Sequence, residues 1–135
     1  MQATATAHPN IALIKYWGKR DVPLNLPSTS SLSVTLDTFE TTTTVTWGTD
    51  ADALLVNGEQ LSAGAAARAL DFLSLIDPRR PPCRIVSTNN FPTAAGLASS
   101  ASAFAALALA GTAAAGQTLS PQAMSALARR CSGSP

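Results

Sequence analysis

The sequence predicts a single α+β domain, and three observations carry that expectation. The first half is rich in alternating and β-branched segments, as in SLSVTLD (31–37) and TTTTVTW (41–47). The second half turns Ala-rich and helical after an Asn57-Gly58 pair. Strands come first, followed by one more strand, a loop and helices, an order that argues against a doubly wound parallel sheet. No internal repeat or linker divides the 135 residues, a length sufficient for one hydrophobic core.

Each element follows from local pattern. In residues 31–37, Leu32, Val34 and Leu36 alternate with Ser31, Ser33 and Thr35, the period-2 signature of a half-buried strand. Residues 41–47 are β-branched and end on Trp47, which suits a second strand. ALLVNGEQL places Asn57-Gly58 between two apolar pieces, and that pair suits the positive φ values of a type I′ hairpin turn. Ser62 caps a helix carrying Leu70, Leu73 and Ile76, which Asp77-Pro78 stops. CRIVST (83–88) reads as a strand. A long helix is expected from Ser99 to Ala114, with Phe104, Leu107 and Ala108 packed and Gly116 closing it. Ser120-Pro121 opens the next, since Ser caps and Pro tolerates the first helical position.

Composition narrows the function classes. With 13% charged residues and a net charge of +1, the chain shows no basic stripe for nucleic acid. No apolar run approaches the roughly 18–20 residues that span a bilayer. The start, MQATATAHPN, has no basic stretch followed by an apolar one, so the expected location is cytoplasmic. Cys83 and Cys131 lie far apart without CxxC spacing and His8 is the sole histidine, so both cysteines read as ordinary thiols.

Two segments carry chemistry. In NNFPTAAGLASSA, small residues lead from a strand into a helix opening at Ser99-Ser100. Free N–H groups and the macrodipole make such a start a natural phosphate cradle, with Ser hydroxyls at hand for phosphate or an ATP-bound magnesium. The same residues also fit a plain cap and turn. The loop lacks the GK[ST] of a Walker A motif and is not GxGxxG. The second segment, NIALIKYWGKRD (10–21), sets Lys15, Lys19 and Arg20 beside Tyr16 and Trp17 after a strand-like NIALI. Cations among aromatic rings suit a small polyanionic substrate, and a solvated basic turn fits as well.

Residues 92–101 resemble the PxxxGLxSSA phosphate loop of the GHMP kinase superfamily, with Pro92, Gly96, Leu97, Ser99, Ser100 and Ala101 all matching. Residues 16–19 resemble the YWGK signature of the diphosphomevalonate decarboxylases within it. LNLPSTSSLSVTLD, and the tail Ser132, Gly133 and Ser134, are similar to further stretches of that family; Cys131 stands where the family has Gly, and Pro135 where it has Ala. A Cys there loses conformational freedom if the position needs a positive φ.

The resemblance implies a ribosomal-protein-S5-like N-terminal domain, with a mixed or antiparallel sheet and helices on one face. It implies an ATP-dependent carboxy-lyase that converts mevalonate diphosphate to isopentenyl diphosphate, with ATP as co-substrate and Mg2+. Lys15 is then the candidate catalytic residue. Asn10, Tyr16, Trp17, Gly18, Lys19, Arg68, Ser132, Gly133 and Ser134 are candidates for the substrate. Pro92, Thr93, Ala94, Ala95, Gly96, Leu97, Ala98, Ser99, Ser100 and Ala101 are candidates for ATP phosphates, with Ser100 toward the metal. Arg68 equally fits a solvated helix face. The resemblance also implies that the catalytic Asp and a C-terminal domain lie beyond residue 135, that the 135 residues alone turn over poorly, and that full-length members are homodimers. Lys15, directly after NIALI, is expected at a fixed depth, and Lys19, past Gly18, in a more mobile turn. A mevalonate 3-kinase, a phosphomevalonate decarboxylase and a non-catalytic nucleotide-binding module are the alternatives.

Overall fold

The computed structural model describes residues 1–92 and 99–132. The expected ATP-loop residues Thr93, Ala94, Ala95, Gly96, Leu97 and Ala98, together with Gly133, Ser134 and Pro135, lie outside the described residues.

The chain forms strands β1 (Gln2–Ala7), β2 (Asn10–Ile14), β3 (Lys19–Asp21), β4 (Leu26–Pro27), β5 (Leu32–Thr35), β6 (Thr41–Trp47), β7 (Ala53–Val56) and β8 (Glu59–Gln60). Helix α1 (Ala63–Ile76), strand β9 (Cys83–Asn89), and helices α2 (Ser99–Ala114) and α3 (Pro121–Arg129) follow. The architecture is α+β, as expected. Five strands form a mixed sheet in the order β1-β6-β9-β7-β8, in which only β7 and β9 run parallel.

Strand β6 shows how the sheet divides its faces. Thr41, Thr43, Val45 and Trp47 are buried, and Thr42, Thr44 and Thr46 point to the other side. On that outer side the threonines pair across strands, Thr4 with Thr44 at 2.8 Å and Thr6 with Thr42 at 2.9 Å. Such cross-strand hydroxyl pairs stabilise a solvated face. The inner face joins the helices in one core around Val45, Ile85, Phe72, Leu73, Phe104 and Leu107. Phe72 of α1 meets Phe104 of α2 edge-on, with ring centroids 5.4 Å apart. Gly111 lets the helices approach closely: a Cβ there would sit 2.7 Å from Leu73 Cδ2 and 2.8 Å from Ile76 Cδ1.

Local signals place most boundaries. Asn57 (φ 50°) and Gly58 (φ 87°) adopt the positive φ values that the hairpin between β7 and β8 requires. Ser62 and Ser120 both cap helices, accepting from Ala65 N (3.4 Å) and Ala123 N (3.2 Å). Pro121 occupies the start of α3, and Gly116 (φ 69°) follows α2.

Two findings correct the sequence reading. Strand β5 exists but is exposed along its whole length, not half-buried. Its partner is β2, outside the main sheet, so the alternating Leu32 and Val34 find no core to enter. The second is β1, for which no strand was expected. Its Ala-Thr alternation carries period 2, but Ala is a weak strand former and masks the signal.

Candidate functional site

Residues 10–35 form one long antiparallel arm. Strand β2 leads out and β5 returns beside it, with Ile11 opposite Val34. Strands β3 and β4 continue the ribbon, with Lys19 opposite Pro27. Between the two ribbons the pairing breaks, and there the Trp17 N–H donates to Thr29 Oγ1 (2.9 Å) and the Ser28 N–H to Gly18 O (3.1 Å). Gly18 takes φ 72°, a conformation that side-chain-bearing residues rarely adopt.

Lys15 and Trp17 are exposed in this break and Tyr16 is half-buried. Lys19 opens β3, opposite Pro27 of β4, and so lies in a strand where a turn was expected. Asn10 begins β2, paired with Thr35 at the base of the arm. Among the described residues the one ion pair joins Arg80 to Asp52, so Lys15, Lys19 and Arg20 form none with a described carboxylate.

The tip of the arm reaches the body. Asn25, buried and at φ 50°, donates from Nδ2 to the Arg129 carbonyl at 2.6 Å. That carbonyl is the last of α3, and the next residues form the segment toward which two further side chains converge. Arg68 of α1 donates from Nη2 to the Cys131 carbonyl while its guanidinium lies 4.9 Å from the Phe104 ring centroid. Ser100, in the first turn of α2, lies 3.4 Å from Ser132, oxygen to oxygen. Elements far apart in sequence thus meet at residues 129–132.

The electrostatics of this end favour an anion. The first turn of α2 holds no acidic residue, so no carboxylate within that turn offsets the positive potential of the helix N-terminus. Among the described residues the exposed Ser100 hydroxyl has one side-chain contact, with Ser132. Among the described residues no group of three or more His, Cys, Asp or Glu is placed to hold a metal ion. Cys131 lies in a turn without a positive φ, so the missing Gly is not required for this backbone. Burial raises the Cys131 thiol above its usual pKa, although Arg68 beside it pulls the other way.

The structure therefore brings Ser99, Ser100, Ala101, Arg68 and Ser132 to one end of the helical layer. Pro92 is exposed just after β9. No hydrogen bond or ion pair joins Lys15 or Lys19 to Ser100, Ser132 or Arg68 among the described residues. Sequence reasoning missed Asn25. Its signal was a turn-forming Asn in the short stretch between Pro23 and Pro27, where a left-handed residue suits a hairpin tip.

The model of the diphosphomevalonate decarboxylase-like N-terminal domain matches residues 7–135. The chain belongs to this family. It is 47% identical to the diphosphomevalonate decarboxylase mvd1 of Aspergillus fumigatus, over 98% of this chain and 38% of that protein. Its fold is similar to the mevalonate diphosphate decarboxylase of Enterococcus faecalis, with a TM-score of 0.90 and 46% identity over 99% of this chain and 43% of that one. A further solved relative, MDDEF in complex with MVAPP, AMPPCP and magnesium, has a TM-score of 0.89 at 46% identity, over 99% of this chain and 42% of that one. The chain thus spans about two fifths of the length of the decarboxylases it matches. The family's α+β fold, with a mixed sheet and helices on one face, is the one observed.

Proposed function

We propose that this chain supplies the ATP-phosphate and substrate-diphosphate sites of an ATP-dependent mevalonate diphosphate decarboxylase. The observation that carries this reading is the meeting of Ser100 and Ser132 at 3.4 Å. It joins the helix start of the phosphate-loop segment to the tail segment in one electropositive corner. A family relative bound to MVAPP, AMPPCP and magnesium supports the same ligand classes here.

In this reading ATP phosphorylates the tertiary 3-hydroxyl of mevalonate diphosphate. Phosphate then leaves with its bonding electrons as the carboxylate is lost as carbon dioxide, giving isopentenyl diphosphate. Such transfer depends on positioning and on stabilising charge that spreads over phosphate oxygens. Pro92 to Ala101 cradle the ATP phosphates, with Ser99 and Ser100 donating from hydroxyl and backbone. A magnesium ion carried by the nucleotide would neutralise phosphate charge, and the Ser100 hydroxyl is the group of this chain that would help hold it. Lys15 stands near the substrate hydroxyl. Asn10, Tyr16, Trp17, Gly18 and Lys19 are the arm's substrate-binding residues, and Arg68, Ser132, Gly133 and Ser134 are those that bind its diphosphate. The catalytic Asp comes from sequence outside these 135 residues, in a second domain that closes over this corner.

Titration of ATP-Mg2+ into the chain and into a Ser99→Ala, Ser100→Ala variant tests the assignment. Loss of hydrogen bonds to a charged group is expected to weaken binding about tenfold. Equal affinity in two chains with matching circular dichroism would remove the phosphate cradle from α2.

A further inference from the structure

A pocket open to solvent lies between the N-terminal half of α1, α2 and the inner face of the sheet. Its volume is about 220 Å3. Ala65 and Ala69 of α1 face it, Phe104 of α2 forms one wall, and Thr43 and Ser87 lie on the sheet side. Arg68 lines it too, although its guanidinium is engaged with the Phe104 ring and the Cys131 carbonyl. The void has a simple origin in sequence: AGAAARA places methyl groups where a helix packing on a sheet ordinarily places Leu or Ile.

The hydroxyl pair on its wall is incompletely satisfied. Thr43 Oγ1 and Ser87 Oγ lie 2.9 Å apart, and this is the only hydrogen bond of either side chain among the described residues. Two hydroxyls own two O–H donors, and one bond between them uses one. The second proton has no protein acceptor among the described residues, and Thr43 and Ser87 are only 1% and 8% exposed. The neighbouring buried pair differs. Thr41 donates to Asn89 Oδ1 (2.6 Å) and Ser102 donates to Ser99 O (3.2 Å), so both protons there have acceptors.

Water in this open pocket finds few polar partners on its wall and is readily displaced. The wall offers one spare donor among alanines and aromatic and aliphatic carbon. We propose that the cavity binds a small neutral apolar molecule, one ring or a branched chain of similar bulk, that carries a single hydrogen-bond acceptor for the Thr43–Ser87 pair. The pocket adjoins the phosphate corner through Arg68, which lines both, and the proposal does not rest on the decarboxylase reading.

The test uses the 135-residue chain, amide-resolved NMR, and two probes, cyclohexanone with an acceptor and benzene without one. Both probes are expected to shift the amides of Thr43, Ser87 and Ala69. Ala69→Leu, which fills the space, is expected to abolish both responses; Ala65→Leu serves if that variant does not fold. In a Thr43→Val, Ser87→Ala variant the affinity ratio of cyclohexanone to benzene is expected to fall about fivefold. Absence of localised shifts with either probe, or binding that survives the filling variant, would overturn the site. An unchanged ratio in the hydroxyl-free variant would overturn the acceptor requirement.

Discussion

The arm (residues 10–35) and the body are built on opposite principles. The body hides its apolar side chains: Val45, Phe72 and Leu73 are fully buried, and Ile85 nearly so. The arm displays Ile11, Leu13, Ile14, Trp17, Val22, Leu24, Leu32 and Val34, against Met1, Leu75 and Leu109 for the remaining described residues. A two-stranded ribbon has no interior, and alone it is marginal in water. The arm is instead held at its ends. The Leu36 N–H donates to Pro9 O (2.9 Å) and His8 Nδ1 meets Phe39 O (2.8 Å) at the base. At the tip Asn25 bonds Arg129. Stability in the body comes from burial, whereas the arm's geometry depends on a few polar tethers. The family signature lies on the tethered part.

That contrast predicts a graded set of responses. The largest is in the body. Phe72→Ala removes a fully buried ring packed edge-on against Phe104 and should cost about 3–5 kcal/mol, read as a lower midpoint in denaturant with all probes unfolding together. A loss under 1 kcal/mol would mean that the core is not organised around this pair.

At the tip, Asn25→Ala removes a buried hydrogen bond and forces a Cβ-bearing, non-Asn residue to φ 50°. The global cost should be about 1–2 kcal/mol. Hydrogen exchange should quicken in the arm's amides and leave the β6–β9 ladder unchanged. Uniform quickening would show that the arm and body are one cooperative unit.

A smaller response is electrostatic and belongs to the body. Arg80 hydrogen-bonds both oxygens of Asp52 at 2.7 and 3.0 Å, which holds the Asp52 carboxyl at about 2 against its ordinary 3.8. Burial opposes this shift, and the Cys83 N–H, 2.9 Å away, reinforces it. Because the folded pKa is lowered, the stabilisation is complete above the unfolded value and is lost as pH falls from about 4 through 2. With Asp52 36% exposed, solvent screening limits the contribution to about 1 kcal/mol. Denaturation midpoints at pH 5 and pH 2 should differ less in Asp52→Asn than in the parent chain. An equal difference in both would place the acid sensitivity elsewhere.

The smallest effect on stability is expected at the arm's most exposed ring. Trp17 is 82% exposed, so Trp17→Ser should change stability by less than about 0.5 kcal/mol. It should, however, reduce self-association in sedimentation, because the exposed apolar patch loses its largest member. A large loss of stability would show that Trp17 packs in solution.

The cysteines follow the same division by burial. Cys83 is fully enclosed and its thiol is pushed up to about 11, chiefly by desolvation. Cys131 is half-buried and shifted in the same direction. Both are free thiols, as their spacing implied.

Much of the fold could be read from the sequence because its signals are local. Caps at Ser62 and Ser120, the Asn57-Gly58 turn and the span Ser99–Ala114 all depend on interactions within a few residues. The phosphate-loop and YWGK segments were legible for the same reason, as compact runs of fixed residue types. Other features depended on partners distant in sequence. Alternation in Leu32 and Val34 specifies a strand but not whether a core lies under it, and here β5 pairs with β2 away from the helices. The order β1-β6-β9-β7-β8, the approach of Ser100 to Ser132, and the bond from Asn25 to Arg129 across 104 residues were decided by tertiary structure alone. A residue's conformational preference acts through its own neighbours in the chain, whereas burial and convergence require the whole chain to pack.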